Sequence, residues 1–192
     1  SVAETVADLQ LLKTELTRQM VDSGRLALNP RVKVLTDTNW APLANIDDLE
    51  AVVAATAAPA LVFGHSFGGN VALGLAARRP DLVAAVVVYE TPLSWLDWWP
   101  GDSAGAAAMA ADDPGDAAEA FMRRLVGDAV WERLPESKRA ERRAEGAAMV
   151  GELADLRRGA PWNGHAVEAP VLALYGEHAR PHHVTAMHTL VD

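Results

Sequence analysis

Apolar positions along this 192-residue chain change their period several times, and each change marks an element. Between residues 3 and 21, Leu9, Leu12, Leu16 and Met20 recur three and four apart. That spacing puts one apolar stripe along a helix. Gly24 and the Asn29-Pro30 pair end it. The stretch RVKVL at 31–35 alternates and is rich in β-branched residues, the pattern of a strand. After a polar loop, Asn45 is placed to cap a helix from Ile46 to about Thr56, with Asp47 and Asp48 at its positive end. Pro59 closes that helix. ALVF at 60–63 holds no polar residue, as expected of a strand buried on both faces. GHSFGGN then turns directly into VALGLAARRP, a helix of small and apolar residues that stops before Pro80. LVAAVVVY at 82–89 predicts the next buried strand. Strand, helix and strand in this order imply a right-handed crossover and a parallel sheet.

The character changes from Thr91 to about Pro161, where the chain offers no strand pattern. WLDWWP is followed by an Ala/Gly/Asp-rich stretch and by helical patterns at 116–126, 129–134 and 136–158. An all-helical insert after a sheet strand reads as a cap over a site. VLALY at 171–175 returns to a buried strand, which Gly176 ends, and a last helix begins near Pro181 and runs to the end of the chain. The domain division expected is an α/β core at 1–90 and 162–192 with a helical cap at 91–161.

Composition narrows the function classes. Half the residues are hydrophobic, as in ordinary soluble domains, and no apolar run reaches the roughly 18 residues of a membrane span. The first ten residues, SVAETVADLQ, carry acidic groups and no apolar core, unlike a signal peptide. With no Cys, disulfides, thiolate metal sites and a Cys nucleophile are excluded, which fits a cytoplasmic protein. The net charge of −9 argues against a nucleic-acid partner, and the densest basic run, 139–143, has Glu141 inside it. Only Lys13, Lys33 and Lys138 among 17 basic residues are Lys; with the abundant Ala, this suggests a GC-rich bacterial genome.

Gly64-His65-Ser66-Phe67-Gly68 is G-x-S-x-G. Its setting between an apolar strand and a small-residue helix is the one in which the pattern carries chemistry. A Ser on a sharp, strained turn projects its hydroxyl above the sheet, and Gly64 and Gly68 are expected to leave room for the crossing. The helix start then offers the N–H of Phe67 to a developing oxyanion. The alternative is a Gly-rich turn with an incidental Ser.

The block GHSFGGNVALGLAARRPDLVAAVVVYETPL resembles the centre of the α/β-hydrolase superfamily. WLDWWP and AEAFMRRLVGDAVWERLP are similar to the cap of a branch of actinobacterial hydrolases. The likeness runs from about residue 31 to residue 192. It implies an α/β-hydrolase fold, a mostly parallel sheet with flanking helices and a helical cap, and a triad in the chain order Ser, acid, His. The family's usual acid follows a strand in a G-x-x-Asp pattern; this chain reads Gly176-Glu177-His178-Ala179, with Ala where Asp is expected. The superfamily's other acid position, at the tip of the strand after the elbow helix, falls on Glu90, which is well placed to orient an imidazole. Glu177 and Asp97 remain as alternatives. The family's His lies after one further strand, beyond Asp192. His65 sits within the elbow, and His178, His182 and His183 crowd the loop after VLALY; they resemble a metal cluster, but Glu177 is the one carboxylate near a ligand spacing, and they read as surface or loop residues. A first strand with an oxyanion loop has no counterpart, and only Asp37 stands for the Asp of the family's Asp-Arg-x-Gly-x-Gly turn. The fold is therefore expected to be incomplete, cut at both ends or derived from a decayed or split gene.

The function expected is that of a cofactor-free serine hydrolase with no metal, acting on a small or medium apolar ester or related acyl compound. Ser66 attacks the carbonyl, the Phe67 N–H helps hold the oxyanion and Glu90 orients the base. Trp95, Trp98 and Trp99 follow the acid directly and are expected to line an apolar acyl pocket. Met109, Met122, Met149, Trp131 and Trp162 read as packing. Dehalogenases and epoxide hydrolases of this fold use Asp as nucleophile, whereas perhydrolysis and C–C hydrolysis share the Ser triad. Two rivals stand: a non-catalytic protein that binds a ligand or partner in the same pocket, and one part of a split enzyme.

Overall fold

Three apolar runs pair into one sheet. The computed structural model describes residues 42–55 and 58–191; the helix expected at 3–21 and the strand expected at 31–35 lie outside them. Strands β1 (Ala60–His65), β2 (Val83–Tyr89) and β3 (Val171–Leu174) lie in the order β1-β2-β3, with both pairs parallel. His65 is level with Tyr89, and Tyr89 with Leu174. The residues that leave the three strands, Ser66, Glu90 and Tyr175, therefore emerge together at one edge of the sheet.

One face of the sheet carries the core. Val62, Val86 and Val88 are buried beneath helix α2 (Phe67–Arg78), whose Ala72, Leu75 and Ala76 are wholly inaccessible. Helix α1 (Pro42–Ala54) lies against α2 through Ile46 and Val53. Arg78 and Arg79 tie the two helices by pairing with Asp47 and Glu50. Helix α1 begins four residues earlier than its sequence pattern indicates, because the fixed φ of Pro42 suits a first helical turn. Asn45 is consequently an interior residue, and Asp47 and Asp48 lie beyond the first turn. The expectation that β1 is buried on both faces also fails: Leu61 is 53% and Phe63 39% exposed, on the face turned away from Val62.

Five helices separate β2 from β3: α3 (Ala104–Met109), α4 (Pro114–Val126), α5 (Asp128–Arg133), α6 (Glu136–Ala144) and α7 (Gly146–Arg158). Helix α4 is the hub of the group, in contact with each of the other four. Its start is well specified, with Pro114 in the first turn and the Asp113 carboxylate accepting from the N–H groups of Gly115 and Asp116 at 2.8 and 3.0 Å. Ser103 caps α3 in the same way. The single helix expected at 136–158 is two, broken where Gly146 is pressed against the Pro114 carbonyl. Trp131 of α5 is 1% exposed, with the Arg123 guanidinium 5.9 Å from its ring centre. The last helix, α8 (Pro181–Thr189), ends three residues before Asp192 and sends Ala186 and Met187 into the main core. No described helix is long and apolar enough to cross a membrane.

Candidate active site

Ser66 occupies the single-residue turn between β1 and α2, with φ 53° and ψ −126°. Side-chain-bearing residues avoid that region, and surrounding structure has to impose it. Here the Ser66 N–H donates to the Tyr89 carbonyl on β2 at 2.9 Å, and the Ser66 carbonyl accepts from the Gly69 N–H at 2.9 Å. Two glycines make the crossing possible. A Cβ on Gly64 would run into the Gly68 carbonyl and the Gly69 Cα, and one on Gly69 would collide with the Thr91 Oγ1. A Cβ on Gly68 meets nothing within 4 Å. The room attributed to Gly68 from the motif is thus needed at Gly69, the next residue of the doublet. Phe67 opens α2 and is half-buried, so its N–H lies at the positive end of the helix.

Glu90 leaves β2 one residue past Tyr89, as Ser66 leaves β1 one residue past His65, which pairs with Tyr89. The Glu90 φ is also positive, at 48°. Its N–H donates to the Leu174 carbonyl at 3.0 Å, and its Oε1 accepts from the Gly176 N–H at 3.0 Å. Gly176 must be small, since a Cβ there would stand 2.7 Å from the Tyr89 hydroxyl and 3.3 Å from the Glu90 Oε1. The carboxylate of the second strand is in this way anchored to the end of the third. Burial, and then the neighbouring Glu90 charge, raise the Tyr89 pKa above its ordinary value. Glu177 and Asp97 are exposed.

The histidines divide. His165, His178 and His188 are exposed. His65 sets its ring 5.4 Å from that of Tyr89. His182 and His183, expected on the surface or in a loop, instead open α8 and are half-buried against Trp99, whose ring meets theirs edge-on at 4.8 and 5.5 Å. Burial, with the adjacent His182 adding to it, pushes His183 down to about 4, so its imidazole is neutral at pH 7. Its Nδ1 is buried without a hydrogen-bond partner among the described residues. No hydrogen bond joins any of the six His to Ser66 among the described residues. Nor, among those residues, does any group of three or more His, Asp and Glu stand where it could hold a metal ion.

Two cavities flank these groups. One, of about 420 Å³, lies between α1, α2 and the end of α7, lined by Ile46, Phe67, Asn70, Val71, Leu156 and Pro161 among others. Asp155 and Arg158 bring opposite charges to its wall. The other, of about 470 Å³, is lined by Trp98, Asp102, Arg180, His182 and Thr185 among others. Of the three tryptophans expected in a pocket, Trp98 alone lines it and is 41% exposed. Trp95 packs edge-on against Trp162 at 5.9 Å, and Trp99 against the two His. On α7, Glu152 accepts a hydrogen bond from Asn45, the residue expected as a cap, and burial pushes its carboxyl up to about 7. Thr91, Asn70 and Gly176 have no counterpart in the sequence-based site; the GGN that follows Phe67 was the only available sign of the first two.

A family model described as the alpha/beta hydrolase fold matches residues 37–158, well over half of the chain. Lipase LipV of Mycobacterium tuberculosis is 40% identical over 89 residues, which are 46% of this chain and 34% of that protein. Among solved structures, a candidate lipase from Acinetobacter baumannii superposes with a TM-score of 0.53 at 15% identity, over 82% of this chain and 57% of the other. An alpha/beta hydrolase from Sphaerobacter thermophilus has a TM-score of 0.49 at 21% identity, over 80% and 63%. The chain thus spans about a third of the length of the curated relative it matches and under two thirds of these structures.

Proposed function

Because the chain belongs to the alpha/beta hydrolase fold family, with lipase- and hydrolase-named proteins among its relatives, we propose that it is a serine hydrolase of small or medium apolar acyl esters. The observation that carries this reading is the backbone of Ser66, held at φ 53° between strand and helix. A turn that costs about 1–3 kcal/mol of strain has a use where a hydroxyl must stand clear of the sheet.

In this reading the Ser66 oxygen attacks the acyl carbonyl while its proton passes to a base. The oxyanion is held by the Phe67 N–H at the start of α2, and collapse expels the alcohol to leave an acyl-enzyme. Water then releases the acid. Glu90, fixed by the Gly176 N–H, orients the base. None of the chain's six His is hydrogen-bonded to Ser66 among the described residues, so the reading names the base only as an imidazole and gives it no residue. Helices α3–α7 act as a cap, and Trp98 is the tryptophan best exposed to meet substrate.

The missing Ser66–His bond favours one rival, a protein that binds acyl ligands without turning them over. A fluorophosphonate probe separates the two. One adduct mapped to Ser66, absent in Ser66→Ala and formed faster when imidazole is added, supports the hydrolase. No adduct with or without imidazole supports the binder.

A further inference from the structure

The first turn of α2 runs in step with the segment that leaves β2. The Ser66 N–H bonds the Tyr89 carbonyl, Gly69 abuts the fully buried Thr91, and the Asn70 Nδ2 donates to the Pro92 carbonyl at 2.9 Å. Asn70 has a second partner far away in sequence: its Oδ1 accepts from the Trp162 indole N–H at 3.0 Å. Pro92 lies where the chain departs toward α3–α7, and Trp162 where it returns from them.

We propose that Asn70 is a positioning residue that pins the Ser66 turn, and Glu90 beside it, to both roots of the helical segment. The inference rests on Ser66 being the nucleophile. Asn70 is 2% exposed, in a helix whose other buried residues are Gly, Ala and Leu. A side chain that weakens a helix and is costly to bury persists there because both of its polar ends are matched. The matching also fixes the amide's orientation: an indole N–H can only donate and a proline carbonyl can only accept. Leu would fill the volume and leave two partners unsatisfied. Gln would carry its amide one methylene too far. Ionised Asp would face the Pro92 carbonyl with no donor. Trp162 in turn packs edge-on against Trp95, so the bond that holds the elbow also holds the aromatic pair at the base of the helices.

The test uses Asn70→Asp in the full 192-residue chain. While its carboxyl is protonated, the hydroxyl can donate to Pro92 and the carbonyl oxygen can accept from Trp162; ionisation removes the donor. The charged groups on the adjoining cavity wall are Asp155 of α7 and Arg158 at its end. Two quantities are read against wild type from about pH 5 to about pH 8, a range that spans the ionisation of a buried carboxyl. One is the hydrogen-exchange protection of the Ser66 amide and the Trp162 indole. The other is the rate of fluorophosphonate labelling at Ser66. Asn70→Asp should match wild type at the acidic end, then lose protection and label at least about tenfold more slowly at the alkaline end, since small displacements of reacting groups cost one to two orders of magnitude. Asn70→Leu should show the loss at every pH. Unchanged protection of both groups in ionised Asn70→Asp overturns the proposal, as does loss of protection with an unchanged labelling rate. A wild-type chain that takes no label even with imidazole added refutes the nucleophile reading instead, and the pinning is then judged by exchange alone.

Discussion

Replacing Ser66 by Gly should make the protein more stable and inert, and comparison with Ser66→Ala isolates the reason. Ala keeps a Cβ at φ 53° and ψ −126°, so it retains the backbone strain, on the order of 1–3 kcal/mol. Gly adopts those angles freely but loses roughly 0.5–1 kcal/mol more conformational entropy on folding. The Gly variant should therefore exceed the Ala variant by about 0 to 2.5 kcal/mol, the strain less the entropy. At about 2–4 °C per kcal/mol for a chain of this size, the midpoint should rise by a few degrees. The assay is thermal unfolding followed by circular dichroism, with urea titration to check that the m-value is unchanged. In an ordinary helix, Gly would lose about 1 kcal/mol to Ala instead. The sign thus decides: a Ser66→Gly protein less stable than its Ser66→Ala counterpart would show that the turn stores no strain. Neither variant should accept a fluorophosphonate.

Gly69→Ala should cost about 1–3 kcal/mol of stability through overpacking against Thr91, whereas Gly68→Ala should be neutral or gain up to about 1 kcal/mol; equal losses in urea titrations would contradict the crossing geometry. Glu152, with an ordinary pKa of 4.5 and a folded one of about 7, binds its proton more tightly folded than unfolded, so its contribution is complete below about pH 4.5 and is lost up to about pH 7. Glu152→Gln should therefore gain on wild type in melting temperature as pH rises through that window, and a constant difference would refute the assignment. His183 works in the opposite sense: its folded pKa, near 4, lies below the ordinary 6.5, so it removes stability as pH falls from about 6.5 to about 4, a loss that should vanish in His183→Asn. Trp99→Ala should approach the roughly 3–5 kcal/mol cost of a packed tryptophan, while the more exposed Trp98→Ala should change the alkyl-chain preference of fluorophosphonate labelling with little loss of stability; the reverse ranking would place the site elsewhere.

Much of the fold was legible because apolar periodicity is a local property. The runs at 60–65, 83–89 and 171–174 contain little but apolar residues and glycine, and the fold pairs them as their composition indicates. The boundaries that escaped were set by tertiary contact. No local pattern at 136–158 announces that Gly146 must meet the Pro114 carbonyl, and nothing near Asn45 shows that its amide serves Glu152 more than a hundred residues later. The site divides in the same way. The position of Ser66 followed from strand, turn and helix, all local, and Glu90 from the end of a neighbouring strand. The burial of His182 and His183 by Trp99, and the clasp of Asn70 on Trp162, join residues whose proximity only the folded chain creates.

The pairing of β2 with β3, Val86 beside Val171, has a kinetic consequence. Strands that are neighbours in the sheet are separated by roughly eighty residues of chain, and closing such a loop costs entropy that grows only logarithmically, about 0.6 kcal/mol per doubling. Equilibrium stability is therefore nearly indifferent to how long the intervening helices are. The rate is not, because distant pairings form slowly. The contacts among helices α3–α7 close shorter loops than the β2–β3 pairing does, so that pairing is the one the topology delays most. Homologues can then lengthen, trim or exchange the helical segment and inherit the same sheet, with the time taken to complete it as the main thing altered.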